Sequence, residues 1–183
     1  MRDDTKKPVA QQNTRGSRSE LRDLLSQFHT AMLVTIDDHG YPRARPLAIA
    51  RVESDDRVWF ATPEHTPKVA EIAADAKVAV LCHRSRDEAW VSLSGTARLI
   101  RDPAMARWLW DASMKAWFTG PDDPSLLLIE VRPKHAEYYD AQKPMMARAL
   151  EMVKSIVSNE PPNMAATKHV EIDRLSEPGR ISH

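Results

Sequence analysis

One cysteine, Cys82, is all that 183 residues carry, so an intramolecular disulfide is excluded and a reducing compartment fits. Charge of one sign is also lacking: Lys plus Arg and Asp plus Glu both number 26. No global field is available for nucleic acid or an anionic membrane surface, and any anion site must be local. Long hydrophobic runs are missing too. The longest, Val78 to Cys82 and Leu126 to Ile129, are far too short to span a bilayer, and residues 1–18 hold no apolar signal-like stretch. The expectation is a cytoplasmic protein with neither a membrane nor a nucleic-acid partner. The seven histidines show no His-Glu-x-x-His spacing, and Cys82-His83 lacks further ligands, so no metal is expected. There is no Gly-x-Ser-x-Gly elbow and no internal repeat.

What is present is a succession of short strands. Residues 1–18 have almost nothing to bury and read as a disordered tail. Leu21, Leu24, Leu25 and Phe28 recur at helical spacing behind Ser19 as a cap. AMLVTI and the stretch from Tyr41 to Val52 flank Asp37-Asp38-His39-Gly40 as a hairpin, with Pro46 implying an edge or a bulge. RVWFAT (57–62), KVAVLC (77–82) and AWVSLSGTARLI (89–100) are further strands, the last bent or bulged at Gly95. Asp102-Pro103 starts a helix carrying Met105, Trp108, Leu109, Ala112 and Ala116. Residues 126–131 and 136–139 follow as strands, and Pro144 opens a last helix with Met145, Ala149, Met152 and Ile156 on one stripe. The remaining tail is polar and reads as loop or partner-bound. Such a chain is mainly β (α+β), a closed or nearly closed antiparallel barrel of six to seven strands with peripheral helices and a C-terminal helical extension.

The local anion site is Thr66-Pro67-Lys68. Thr66 can cap a helix, Pro67 suits its first position, and Lys68 places a cation where the helix dipole favours an anion. First-turn amides, the Thr66 hydroxyl and the Lys68 ammonium could together grip a phosphate. The same residues also read as an ordinary capped helix with a solvated lysine. Arg43 and Arg45 alternate onto one face of the second strand, either to complete a phosphate cage or to discourage aggregation at an edge. The acidic pairs Asp37-Asp38, Asp55-Asp56, Asp87-Glu88 and Asp122-Asp123 sit where turns are expected, and turn chemistry accounts for them.

In order and spacing, Arg45-Pro46-Leu47, Phe60-Ala61-Thr62, Thr66-Pro67-Lys68, VSLSGTARL (91–99) and WFTGPDDPSLLLIEVRPKHAEYYDA (117–141) resemble the pyridoxamine 5′-phosphate oxidase-like FMN-binding split-barrel superfamily, most closely its general stress protein branch. The likeness extends to the final helix and the KHVEI of the tail. It implies a split barrel over residues 19–141, followed by a helix and tail (142–183) packing on the barrel or on a dimer partner. It also implies a homodimer with flavin at the subunit interface, FMN foremost and FAD as alternative. Arg45, Thr66 and Lys68 would hold the phosphate. Leu47, Ala48, Phe60, Ala61 and Thr62 would run beside the ribityl chain and ring, and Trp90, Trp108 and Trp117 are candidates to flank the ring.

The oxidase activity itself is not implied. Where the true oxidases carry an Arg-x-His element, this chain has Gln142-Lys143-Pro144 and a helix. The functional expectation is a flavin-dependent oxidoreductase of unspecified substrate, with a reduced nicotinamide as donor, and no catalytic residue stands out because the cofactor carries the chemistry. A non-enzymatic flavin store or sensor is the alternative. A third reading, an oligonucleotide groove lined by Arg43, Arg45 and Arg51, is disfavoured by the zero net charge.

Overall fold

The structure, a computed structural model, describes residues 14–139 and 168–172. In chain order it has β1 (Thr14–Arg15), α1 (Arg18–Leu25), β2 (Thr30–Ile36), β3 (Pro42–Ala48), β4 (Arg51–Val52), β5 (Val58–Pro63), α2 (Pro67–Ala74), β6 (Lys77–Arg84), β7 (Ala89–Ile100), α3 (Pro103–Leu109), a 3₁₀ turn (Ala112–Ala116), β8 (Leu126–Tyr139) and β9 (Lys168–Glu171). The C-terminal helix expected from Pro144 lies outside the described residues. Among those described, no helix is long and apolar enough to cross a membrane.

Local chemistry explains the early elements. Ser17, not Ser19, caps α1: its hydroxyl accepts from the Glu20 amide at 3.1 Å while the Glu20 carboxylate reaches back to the Ser17 amide, a reciprocal capping box. Both serines precede the apolar stripe, so periodicity alone could not choose between them. The β2–β3 hairpin turns on Asp37, whose carboxylate accepts from the amides of His39 and Tyr41, and on Gly40 at φ +83°. β3 pairs only with β2, so Pro46 does stand on an edge strand.

The sheet runs β1-β9-β8-β7-β6-β2-β3, with β5 pairing the first half of β8 and β4 pairing β5. Every pairing is antiparallel except β1 with β9. Two strand runs separated by Pro133 in the sequence reading are in fact one fourteen-residue strand, β8. The proline is tolerated because the β7–β8 register shifts there: Ser94 faces His135 and Gly95 faces Pro133, leaving Lys134 as the extra residue of a bulge. The helix expected through Ala116 breaks at Trp110, whose ψ is 125°, and resumes as the 3₁₀ turn. Thr14 and Arg15 bridge to Lys168 and His169, so the polar N-terminal stretch ends in a strand and KHVE of the tail pairs with β8. Strands this short carry no periodicity of their own.

The result is a mostly antiparallel α+β split barrel. Its interior is filled from alternate positions of the sheet, including Leu33, Val80, Val91 and Leu93, and one end is sealed by Leu21, Leu24 and Leu25 of α1. An eight-residue helix is not stable alone. Three buried leucines at about 1.5–3 kcal/mol each hold it in place. A second cluster packs Trp59 and Leu128 on the outer face of β5 and β8 against Ala106 and Leu109 of α3.

Candidate functional site

The barrel is split between β3 and β5. β5 is bonded to β4 only through Val58 and Trp59, so residues 60–63 present an edge outside any ladder to the free edge of β3. One end of this slit is closed where the Ala50 amide donates to the Trp59 carbonyl at 2.8 Å. The other end opens at the start of α2.

There the chain turns through Pro63 to Thr66. Thr66 occupies the cap position of α2, but its hydroxyl does not turn to the helix amides. It donates instead to the Pro63 carbonyl at 3.0 Å and accepts from the Lys68 ammonium at 3.0 Å, with the Thr62 hydroxyl 3.5 Å away. The side chain that usually quenches the first-turn donors is thus committed elsewhere, and the positive end of the helix remains uncapped by it. Lys68 is half-buried beside a second cation. Burial, then the Arg45 charge, push its ammonium below the ordinary value of 10.5, and Glu71 pulls it part of the way back.

Arg45 reaches this point from β3. Its guanidinium donates to Glu71 Oε2 at 2.7 Å and to the hydroxyl of Thr35, a fully buried residue that itself donates to the same Glu71 oxygen. Strand pairing places Thr35 on β2 and Arg45 on β3, and helical spacing puts Glu71 on the Lys68 side of α2. Two cations, three hydroxyls and one carboxylate therefore converge from β2, β3, β5 and the start of α2. The donor set fits a phosphate: charge-assisted donors on two sides and an uncapped helix start on a third.

Of the residues singled out by sequence, the structure brings Arg45, Thr62, Thr66 and Lys68 together. Leu47 is partly buried against the barrel core and Ala48 is exposed at the end of β3. Phe60 points wholly into the core, so only its backbone can line the slit, whereas Ala61 packs toward the second cluster. The three tryptophans are not gathered. Trp108 lies on α3 under the Arg51 guanidinium, 4.1 Å from the ring centroid, and Trp117 follows the 3₁₀ turn, well exposed. Trp90 sits on the outer face of β7, stacked on His83 at 3.7 Å. Three strand spacings, about 14 Å, separate it from β3. Toward the other wall, it stands opposite Tyr139, at the end of β8 away from the half that carries β5, so it lies clear of the slit of its own chain.

Glu71 and Thr35 escaped the sequence reading. The one signal for Glu71 was its place three residues after Lys68 on a helix. Asp56 also proves more than a turn residue: it is fully buried at φ 72°, and its carboxylate accepts from Arg18 of α1 at 2.6 Å, tying that helix to the β4–β5 turn. Cys82 is no nucleophile. Burial in the core raises its thiol to about 12, so it stays protonated.

The fold and the slit together match one family. The chain belongs to the pyridoxamine 5′-phosphate oxidase like family, whose model matches residues 16–163. Several of the proteins it is similar to carry the name general stress protein 26. It is 27% identical over 152 residues to protein bli-3 of Neurospora crassa, covering 75% of this chain and 73% of that one. It is 24% identical to general stress protein 26 of Bacillus subtilis, covering 70% and 92%. Among solved structures, a Jannaschia sp. CCS1 protein assigned provisionally to general stress protein 26 superposes with a TM-score of 0.70 at 24% identity, over 84% of this chain and 96% of that one. A pyridoxamine 5′-phosphate oxidase-related, FMN binding protein from Nostoc punctiforme superposes with a TM-score of 0.57 at 17% identity, over 69% and 84%.

Proposed function

We propose that this protein binds a flavin in the β3–β5 slit, FMN in the first instance with FAD as alternative, and works as a flavin-dependent oxidoreductase in the cytoplasm. The observation that carries the reading is the half-buried Lys68 beside Arg45 at the uncapped start of α2. Glu71 offsets one of these two partly desolvated cations, and the positive charge left over favours a further anion. Thr66, Lys68 and Arg45 hold the phosphate, with Thr62 beside them. The unpaired edges of Leu47–Ala48 and of Phe60–Thr62 supply backbone donors and acceptors along the slit. When bound, the flavin ring supplies the hydride or electron transfer, with a reduced nicotinamide as the donor. The chain's own residues orient the ring and exclude water.

A homodimer completes this reading. Met32, Leu81 and Trp90 share the outer sheet face, Met32 and Leu81 as direct cross-strand partners, and are 38%, 41% and 50% exposed. Large apolar side chains clustered on one face mark an interface. A second copy packed there could bring its Trp90 to a slit that the tryptophan cannot reach within one chain. Residues 19–141 then carry the flavin-binding barrel, whose sheet β9 extends by pairing with β8.

The non-enzymatic reading, a flavin store or sensor, is kept because Leu47, Ala48, Phe60 and Ala61, the strand residues beside the slit, carry no titratable group. Turnover of reduced nicotinamide by the flavin-loaded protein separates the two.

The test of the class is direct titration. Purified protein quenches FMN fluorescence at micromolar concentration, and failure to bind either FMN or FAD would overturn the flavin reading. For the interface, Leu81→Arg is expected to shift the sedimenting species from dimer to monomer. An unchanged mass would place the interface elsewhere.

A further inference from the structure

Glu71 is the one carboxylate in an otherwise cationic cluster, and its bonds are unevenly distributed. Both donors, Arg45 Nη2 at 2.7 Å and the Thr35 hydroxyl, converge on Oε2. Among the described residues no hydrogen bond or ion pair is made to Oε1. The carboxylate is 12% exposed, and solvent screens it only in part. It shares a helix face with Lys68, whose ammonium it stabilises. Any anion gripped by Lys68 and Arg45 must therefore sit near this negative charge.

We infer that Glu71 is a charge-setting residue of the phosphate site: it orients Arg45 through Oε2 while holding the net charge of the Arg45–Lys68–Glu71 group at +1 rather than +2, so that a bound flavin phosphate is gripped below full strength and remains exchangeable. This rests on the flavin-phosphate reading of the cluster. Orientation and charge can be separated because one oxygen takes both bonds. A glutamine whose carbonyl occupies the Oε2 position accepts from Arg45 and Thr35 as before, and only the charge is lost. A monoester phosphate carries up to two negative charges near neutral pH. Removing one opposing unit charge at a half-buried, partly screened position is expected to tighten its binding about tenfold.

The experiment is a fluorescence titration of wild-type protein, E71Q and E71D at pH 8 with FMN and with riboflavin, which lacks the phosphate. E71Q is expected to bind FMN about tenfold more tightly than wild type, with slower release in a chase experiment and riboflavin affinity within about twofold. E71D keeps the charge but reaches Arg45 and Thr35 less well, and should bind FMN no more tightly than wild type. If E71Q does not melt cooperatively, E71A replaces it; having lost the orienting bonds with the charge, it should tighten FMN by less than about tenfold but still exceed wild type. The inference is overturned if the charge-free variant binds FMN no tighter than wild type, or if riboflavin tightens equally. Wild-type protein that prefers FMN to riboflavin beside an unmoved E71Q removes the role of Glu71 alone. Wild-type protein with no such preference removes the phosphate site and this inference with it.

Discussion

Replacing Lys68 with alanine is expected to weaken FMN binding by about 10- to 150-fold while leaving riboflavin nearly untouched. The estimate follows from a hydrogen bond to a charged group, about 1.5–3 kcal/mol, with each 1.4 kcal/mol worth about a factor of ten. Partial exposure of the ammonium argues for the lower half of that range. The specificity matters more than the size. Lys68 bonds to the Thr66 hydroxyl at the uncapped helix start, and nothing places it along the strand edges beside Leu47 or Ala61. A ligand without phosphate should not register its loss. Removing the lysine also relieves its repulsion with Arg45, which lies next to burial among the causes that lower its pKa. The apo-protein should therefore melt no lower, which allows comparison with wild type at the same temperature. Isothermal titration with both ligands decides the matter. Equal weakening of FMN and riboflavin would mean that the variant had disturbed the slit and that Lys68 had no phosphate role.

The cluster at the start of α2 was legible in the sequence because its parts are local. Thr66, Pro67 and Lys68 are adjacent, and each suits a helix start for its own reason. Arg45 could be added from strand alternation and from the hairpin at Asp37–Gly40. Glu71 and Thr35 were not legible for the converse reason. Thr35 lies in an apolar run where a hydroxyl reads as ordinary strand content, and its partners are ten and thirty-six residues away. The barrel was legible from the number and spacing of strands, but its closure was not. β4 and β1 are two residues each, and β9 forms only between β8 and β1 among the described residues. Pairing of that kind is decided by the rest of the sheet. Helix boundaries failed in the same manner: Ser17 rather than Ser19 caps α1 because Glu20 completes a reciprocal pair only with Ser17. The tryptophans show the limit most clearly. Their type marked them as candidates, but only the sheet order shows Trp90 to be three strands from β3, on the outer face of the sheet.

Gly95→Ala should be the most destabilising of the small substitutions, lowering stability by about 3 kcal/mol and the melting temperature by about 6–12 °C. The cause is steric and lies in backbone. A Cβ on Gly95 would stand 2.1 Å from the Arg132 carbonyl oxygen, 2.8 Å from Pro133 Cα and 2.9 Å from the Arg132 carbonyl carbon. None of these can swing aside as a side chain would. Relief requires β7 and β8 to part at the bulge, where Pro133 already withholds a ladder donor and where the Lys134 carbonyl holds β9 through the Ile172 amide at 2.9 Å. The strain would therefore reach β9 as well as β7. Gly120→Ala supplies the control, since a Cβ there meets nothing within 4 Å; it should stay within about 0.5 kcal/mol of wild type. Thermal melts of the two variants side by side carry the argument. If they coincide, β7 and β8 separate cheaply at Gly95, and the bulge is not what forces a glycine into the middle of a twelve-residue strand.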